Sequence, residues 1–139
     1  MIVVDTSVLI DFFRGASTPE TAQLELMERD GIPFAIPAIC CQEVLQGARD
    51  ATQWKTLSGY LDGQETLLPR SPLSTHIDAA RIYFDCRRAG LAPRSSTDCF
   101  IAQLVLEHDG VLLHSDRDFE LIKEVRPIKT LHDTGRIHD

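Results

Sequence analysis

The sequence predicts an α/β fold with a central, mostly parallel sheet and helices on both faces. Three observations lead there. The runs Ile2-Val3-Val4 and Val111-Leu112-Leu113-His114 are short and apolar, as strands covered on both faces are. Helix-length segments alternate with further short strand candidates between and beyond them. The 139 residues, 43% hydrophobic and 25% charged, suit one ordinary soluble domain that buries its own core.

In chain order, a strand over 2–4 leads into a helix over 6–14, ended by Gly15. Thr18 is the N-cap of a second helix with Pro19 at its first position. On that helix Leu24, Met27 and Ala22 face inward, up to about Arg29 and before Gly31. Residues 33–36 read as a second strand. A helix over about 37–48 follows, then another over about 51–61. There Trp54, Leu57 and Leu61 share one face at spacings of three and four and are most simply core. Residues 66–68 form a weak strand. A long helix over 74–89 has Arg87 and Arg88 in its last turn and Gly90 beyond it. Ser95 or Ser96 caps the next helix, which ends near Gly110. The strand at 111–114 and a short helix at 118–123 come next. A last strand falls at 125–128, and the tail from about 130 is expected to pack loosely onto a single domain spanning 1–139.

Composition excludes several classes. The start has no basic segment before an apolar one, with acid already at Asp5, so no signal peptide is read there. No apolar run approaches the ~20 residues a membrane helix needs. Cys40, Cys41, Cys86 and Cys99 form no CxxC pair and read as reduced thiols of a cytoplasmic protein. A net charge of −7 argues against a passive nucleic-acid binder, though not against an enzyme acting on nucleic acid.

Acidic residues carry the chemistry. Asp5 closes the first strand, Glu43 interrupts an apolar helix, Asp98 opens another helix, and Asp116 follows the strand at 111–114. Each has a structural alternative. Asp5 also reads as an N-cap, and Ser95-Ser96-Thr97-Asp98 has the S-x-x-D pattern of a capping box. Glu43 can sit on an exposed helix face, Asp116 in a turn, and Asp118 can cap the helix beginning near Phe119. As a set, however, carboxylates are costly to bury unpaired, and no matching Lys or Arg lies in the same segments. In parallel sheets ligands bind at the carboxyl ends of strands, where Asp5 and Asp116 lie. Such a group suits Mg²⁺, which takes oxygen ligands, with Mn²⁺ able to substitute. A metal-dependent hydrolase follows.

Four segments carry a resemblance: Ile2-Val3-Val4-Asp5-Thr6-Ser7-Val8-Leu9-Ile10-Asp11, Ile39-Cys40-Cys41-Gln42-Glu43-Val44-Leu45-Gln46-Gly47, Ser96-Thr97-Asp98-Cys99-Phe100-Ile101-Ala102 and Leu112-Leu113-His114-Ser115-Asp116-Arg117-Asp118-Phe119. In order and spacing the chain resembles the PIN-domain ribonucleases, and among them the VapC-type toxins of type II toxin–antitoxin systems. The resemblance implies a three-layer PIN-like fold and a Mg²⁺-dependent endoribonuclease that cleaves RNA with a metal-activated water. It implies that Asp5, Glu43, Asp98 and Asp116 are catalytic and hold the metal, with Asp5 and Asp98 as direct ligands. Thr6, Ser115 and Asp118 would support them from behind. It further implies a homodimer, a cognate VapB-type antitoxin, and contact with operator DNA only through that antitoxin. The helix pair carrying Trp54 would help receive the antitoxin.

Arg94, in the loop before Asp98, is the candidate for RNA phosphate contact, ahead of Arg87 and Arg88, whose position also suits a helix dipole. Arg14 and Lys55 have only their sign to recommend them. The five histidines show no metal spacing, and His114 reads as a strand-end residue near the site. Two other readings remain: an RNA-processing nuclease of the same fold without an antitoxin, and a phosphoacceptor receiver module. The receiver would need paired acids after the first strand and a strand-end Lys, and this chain has neither. A dehalogenase-type phosphatase would need D-x-D where Asp5-Thr6-Ser7 stands.

Overall fold

Five short strands supply the frame: β1 (Ile2–Val4), β2 (Phe34–Pro37), β3 (Glu65–Leu67), β4 (Val111–Leu113) and β5 (Lys129–Thr130). The computed structural model, which describes residues 1–134, orders them β3-β2-β1-β4-β5, with every neighbouring pair parallel. Val3, Val4, Ala35, Ile36, Leu112 and Leu113 are fully buried, as strands covered on both faces require. Each large aliphatic side chain among them contributes roughly 1.5–3 kcal/mol by leaving water.

The helices fall into two groups. Helices α1 (Thr6–Phe13), α2 (Pro19–Asp30), α3 (Ala38–Gln46) and α4 (Ala51–Asp62) connect β1, β2 and β3 and pack on one another. Helices α5 (Pro72–Arg88), α6 (Ser96–Glu107) and α7 (Asp118–Ile122) carry the chain back past β1 to β4 and on to β5, and also pack together. Right-handed crossovers moving in opposite directions along a sheet place these two groups on opposite faces. The direction reverses between β1 and β4, where Asp5 N–H donates to Leu113 O at 3.0 Å. That is the crevice in which such sheets hold ligands.

Local chemistry sets most boundaries. Thr18 and Thr21 form a reciprocal capping box, Pro19 opens α2, and Gly31 ends it with a left-handed φ of 65°. Helix α5 begins earlier than expected, at Pro72 with Ser71 as N-cap, because Pro suits a first turn that has no use for its missing N–H. Between α6 and β4, Asp109 takes φ 51°, and a Cβ on Gly110 would lie 2.9 Å from Val3 Cγ2. The chain can therefore enter β4 that closely only with glycine there.

Several expectations are corrected. The last strand is β5 at Lys129–Thr130, not 125–128: Val125 and Arg126 still bond back to Ile122 as a helical turn, and Pro127 cannot donate to a ladder. Strand β3 is one residue earlier than expected, leaving Leu68 exposed. The start of the tail is packed rather than loose. Thr130 and Leu131 are buried, and α8 (Leu131–Thr134) contacts β4 and β5. The rest of that tail, with His138, lies outside the described residues. Ala22 is exposed, and Thr21 and Leu26 take inward positions instead. Trp54 is also exposed, at 51%, because the inward stripe of α4 is set by Leu57 and Leu61, and Trp54 falls beside it.

Candidate active site

Asp5 follows β1 as the N-cap of α1, so its capping alternative is realised. Its Oδ2 accepts from Ser7 N–H at 3.0 Å and Ser7 Oγ–H at 2.6 Å, while Cys40 Sγ lies 3.9 Å from Oδ1. Ser7 Oγ in turn accepts from Ser115 N–H at 2.9 Å, tying the β1 and β4 ends together. Ser115 thus enters the network through its backbone. Ser7 is the residue sequence reasoning passed over. The signal for it was the hydroxyl pair Thr6-Ser7 directly after a strand-end acid.

Glu43 reaches the same place from α3. Thr6 Oγ1 donates to Glu43 Oε1 at 2.7 Å, so the hydroxyl that caps nothing locally holds a carboxylate 37 positions away.

Asp98 lies in the first turn of α6, and its capping alternative fails. The N-cap is Ser95, whose Oγ accepts from Thr97 N–H at 3.2 Å. A capping box would also send Ser95 N–H to Asp98. That N–H donates instead to Asp118 Oδ2 at 3.2 Å, which also accepts from Arg94 N–H at 2.7 Å. Asp98 is 6% exposed, and its Oδ2 is buried with no hydrogen-bond partner. A carboxylate oxygen left this way is costly unless something else meets it.

The loop after β4 supplies the rest. Asp116 Oδ1 accepts from Asp118 N–H at 2.9 Å, and Asp116 N–H donates to His114 Nδ1 at 3.2 Å. An accepting Nδ1 puts the neutral ring's proton on Nε2, 3.4 Å from Glu120 Oε1. Burial pushes the His114 pKa down, which favours that neutral form. His114 is thus a buried support for Asp116.

Electrostatically the carboxylates strain against each other. Burial pushes the Asp98 pKa up to about 9, reinforced by the adjacent Asp116 carboxylate and by the charges of Asp5 and Asp118. Burial also raises the Asp5 pKa, opposed by the Ser7 bonds and reinforced by Asp116 and Glu43. Cys40 is raised well above the usual thiol range, mainly by burial, and is a neutral thiol beside Asp5. One oxygen each from Asp98, Asp116 and Asp118 lies within 4.8 Å of the others. Among the described residues this trio can share one cation, so Asp118 joins the expected set while Asp5 and Glu43 flank it. The orphaned Asp98 oxygen and the all-oxygen donor set both fit a hard divalent ion.

Arg94 stands at the rim, 78% exposed, with Nη2 3.8 Å from Asp116 and Nε 3.7 Å from Asp118. Pairs this long and exposed hold it weakly. Arg87 and Arg88 sit in the last turn of α5, with guanidinium carbons 5.9 Å and 5.8 Å from the Tyr83 and Phe84 ring centroids. Arg14 and Lys55 lie on the α1–α4 side of the sheet.

Comparison with known proteins decides the family. A family model described as the PIN domain matches residues 2–125. The chain belongs to the PIN-domain family. VapC ribonuclease Mb1587 of Mycobacterium bovis is 33% identical over 129 residues, covering 90% of this chain and 93% of the relative. Ribonuclease VapC11 of Mycobacterium tuberculosis gives the same figures. Among solved structures, VapBC-1 from nontypeable Haemophilus influenzae superposes with a TM-score of 0.70 at 16% identity, covering 94% of this chain and 96% of that one. A toxin–antitoxin complex from Klebsiella pneumoniae gives 0.64 at 20% identity, covering 86% and 90%. These two superpositions show the shared fold, and family membership sets aside the receiver and phosphatase readings. Among the described residues no helix of this PIN domain is long and apolar enough to cross a membrane.

Proposed function

We propose that the protein is a metal-dependent endoribonuclease and the toxin of a type II toxin–antitoxin pair. The observation that carries the nuclease reading is the buried, unpartnered Asp98 Oδ2 facing further carboxylates at the switch between β1 and β4. The 33% identity to proteins named as VapC ribonucleases gives the substrate class, RNA.

Asp98, Asp116 and Asp118, with Asp5 beside them, would hold Mg²⁺ or Mn²⁺, and when bound the ion supplies charge neutralisation and Lewis acidity for phosphodiester hydrolysis. The chain's own groups keep the geometry fixed. Thr6 holds the Glu43 carboxylate, Ser7 fixes Asp5 against the β4 end, and Asp118 pins the loop that presents Arg94. Arg94, exposed at the rim, is placed to pair with an RNA phosphate. His114 is buried and accepts from Asp116 N–H, and its ring neighbour His132, 5.7 Å away, pairs with Glu20 at 3.2 Å, so this histidine pair is engaged elsewhere and does not run a transesterification through the 2′-hydroxyl. Water oxygen therefore adds to phosphorus, the bond to the 3′-oxygen breaks, and that oxygen leaves with a proton.

The antitoxin and dimer readings have their own support. One structural neighbour is named as a toxin–antitoxin complex and another as VapBC-1. Trp54 is exposed on α4, and Phe12 and Phe13 of α1 meet Tyr60 of α4 in a ring cluster, so this side of the sheet offers aromatic surface to an apolar antitoxin segment. On α5, Leu73, Ile77 and Phe84 are 72%, 57% and 49% exposed at helical spacing, which suits a second copy.

The test is end mapping of RNA cut by the purified protein, with and without EDTA, beside Asp98→Asn. The expected products carry 5′-phosphate and 3′-hydroxyl ends and vanish in both controls. Cyclic 2′,3′-phosphate ends formed in EDTA would refute the reading.

A further inference from the structure

A cavity of about 520 Å³ opens between α3, α5 and α6, and its lining includes Ser96 and Thr97, the residues directly before Asp98. We infer that it is a nucleobase subsite: it receives one unstacked base of the RNA whose backbone lies at the carboxylates, and so contributes to the choice of cleavage position. The RNA part of this inference rests on the nuclease reading above.

The lining has the chemistry a base needs. The His76 and Phe100 rings stack with centroids 4.6 Å apart and planes 25° from parallel, giving the cavity a flat aromatic wall. Ile39 and the alanines of α3 and α5 leave room for a flat ring. The Gln42 amide, the Tyr83 phenol and the Thr97 hydroxyl supply donors and acceptors for a base edge. Proteins that select RNA sequences splay single-stranded bases, stack them on aromatic side chains and read their edges in this way. The Arg87 guanidinium stands 5.9 Å from the Tyr83 ring centroid, a cation beside the cavity suited to the neighbouring phosphate. Thr97 lines the cavity and Asp98 belongs to the acidic cluster, so the base and the scissile bond would be neighbours along one strand.

The cavity also differs from the apolar stripe of α5. At about 100° per residue, His76, Ala80 and Tyr83 form a flank between the buried face of Ala79 and Ile82 and the outward face of Leu73, Ile77 and Phe84. A second copy seated on the stripe would border the cavity without supplying its polar edges.

Binding can be read without any cleavage. Ribonucleoside 5′-monophosphates are titrated onto the full chain in EDTA, and the ring signals of His76, Phe100 and Tyr83 are followed by NMR, with ribose 5-phosphate as the control. Saturable shifts with the nucleotides and none with the sugar phosphate are expected. Phe100→Leu should weaken binding about tenfold, in line with the loss of one stacking partner. Gln42→Ala, on the exposed side of α3, should keep the fold while changing which base flanks the cut. If cleavage proceeds but nucleotides leave the three rings unmoved and Gln42→Ala leaves cut sites unchanged, the inference is overturned and the nuclease reading stands. If the rings respond to nucleotides but RNA is never cut, the base site stands and the nuclease reading falls. If Gln42→Ala and Phe100→Leu alter only the oligomeric state, the cavity belongs to a contact between copies and the inference is overturned.

Discussion

Replacing Asp98 by Asn should stabilise the metal-free protein while abolishing RNA cleavage. In the folded chain Asp98 holds its proton up to about pH 9, whereas the unfolded value is the ordinary 3.8. Between those values the native state binds a proton the unfolded chain releases, so wild-type stability falls as pH rises across this window and levels off above it. The interval corresponds to at most about 7 kcal/mol, since each pH unit is worth about 1.36 kcal/mol. Relaxation and water entry around the carboxyl leave only a fraction of this ceiling. Asn matches Asp in size, and its new NH₂ can donate to Asp116. Urea melts in EDTA at pH 5, 7 and 9 should show the variant gaining on wild type at each step, by roughly 1 kcal/mol or more overall. Cleavage should be absent at every pH. Parallel pH profiles, or a variant less stable than wild type throughout, would mean that Asp98 is a structural cap after all.

Three other outcomes follow from the same geometry. Saturating Mg²⁺ or Mn²⁺ should raise the wild-type melting temperature, by the equivalent of ~2.7 kcal/mol at a hundred times Kd, and should do far less for Asp98→Asn; equal shifts would place the ion elsewhere. Thr6→Val should cut kcat about tenfold or more with a stability change under about 1 kcal/mol, because it frees the Glu43 carboxylate that Thr6 holds at 2.7 Å; unchanged kcat in steady-state assays would remove Glu43 from the working set. Trp54→Ala should leave RNA cleavage intact and weaken capture of the cognate antitoxin about tenfold or more by calorimetry, whereas undiminished affinity would exclude the α4 face.

The fold was largely legible in the sequence because its signals are local. Buried parallel strands announce themselves as short apolar runs, and Thr18-Pro19, Ser95 and Gly31 mark helix ends by backbone chemistry that needs no distant partner. The errors fell where a distant partner decides. Trp54 matched the spacing of Leu57 and Leu61, but periodicity cannot say how wide the buried stripe of α4 is. Strand β5 was misplaced because its pairing partner, β4, lies sixteen or more residues upstream, and the local Val125-Arg126 segment finishes a helical turn instead.

At the site, the same distinction separates what was readable from what was not. Acids ending apolar runs were visible as a set because burying charge is expensive. Their hydrogen bonds were not visible, and those bonds assign different work to each. Asp5 gives one oxygen to Ser7, Asp116 gives one to the Asp118 backbone, and Asp118 gives one to the Arg94 and Ser95 backbone. Each of these three is partly neutralised by donors that also fold the loops around it. The S-x-x-D pattern assigned such a role to Asp98 too, and the structure hands that role to Asp118, 23 residues beyond Ser95. Asp98 is thereby left buried with an unused oxygen, and burial together with the neighbouring carboxylates pushes its pKa up to about 9. A chain that merely needed to cap α6 would have used the local carboxylate and avoided that strain. With Ser95 N–H bonded to Asp118, the Asp98 oxygen is kept for something that arrives from outside the chain and carries positive charge.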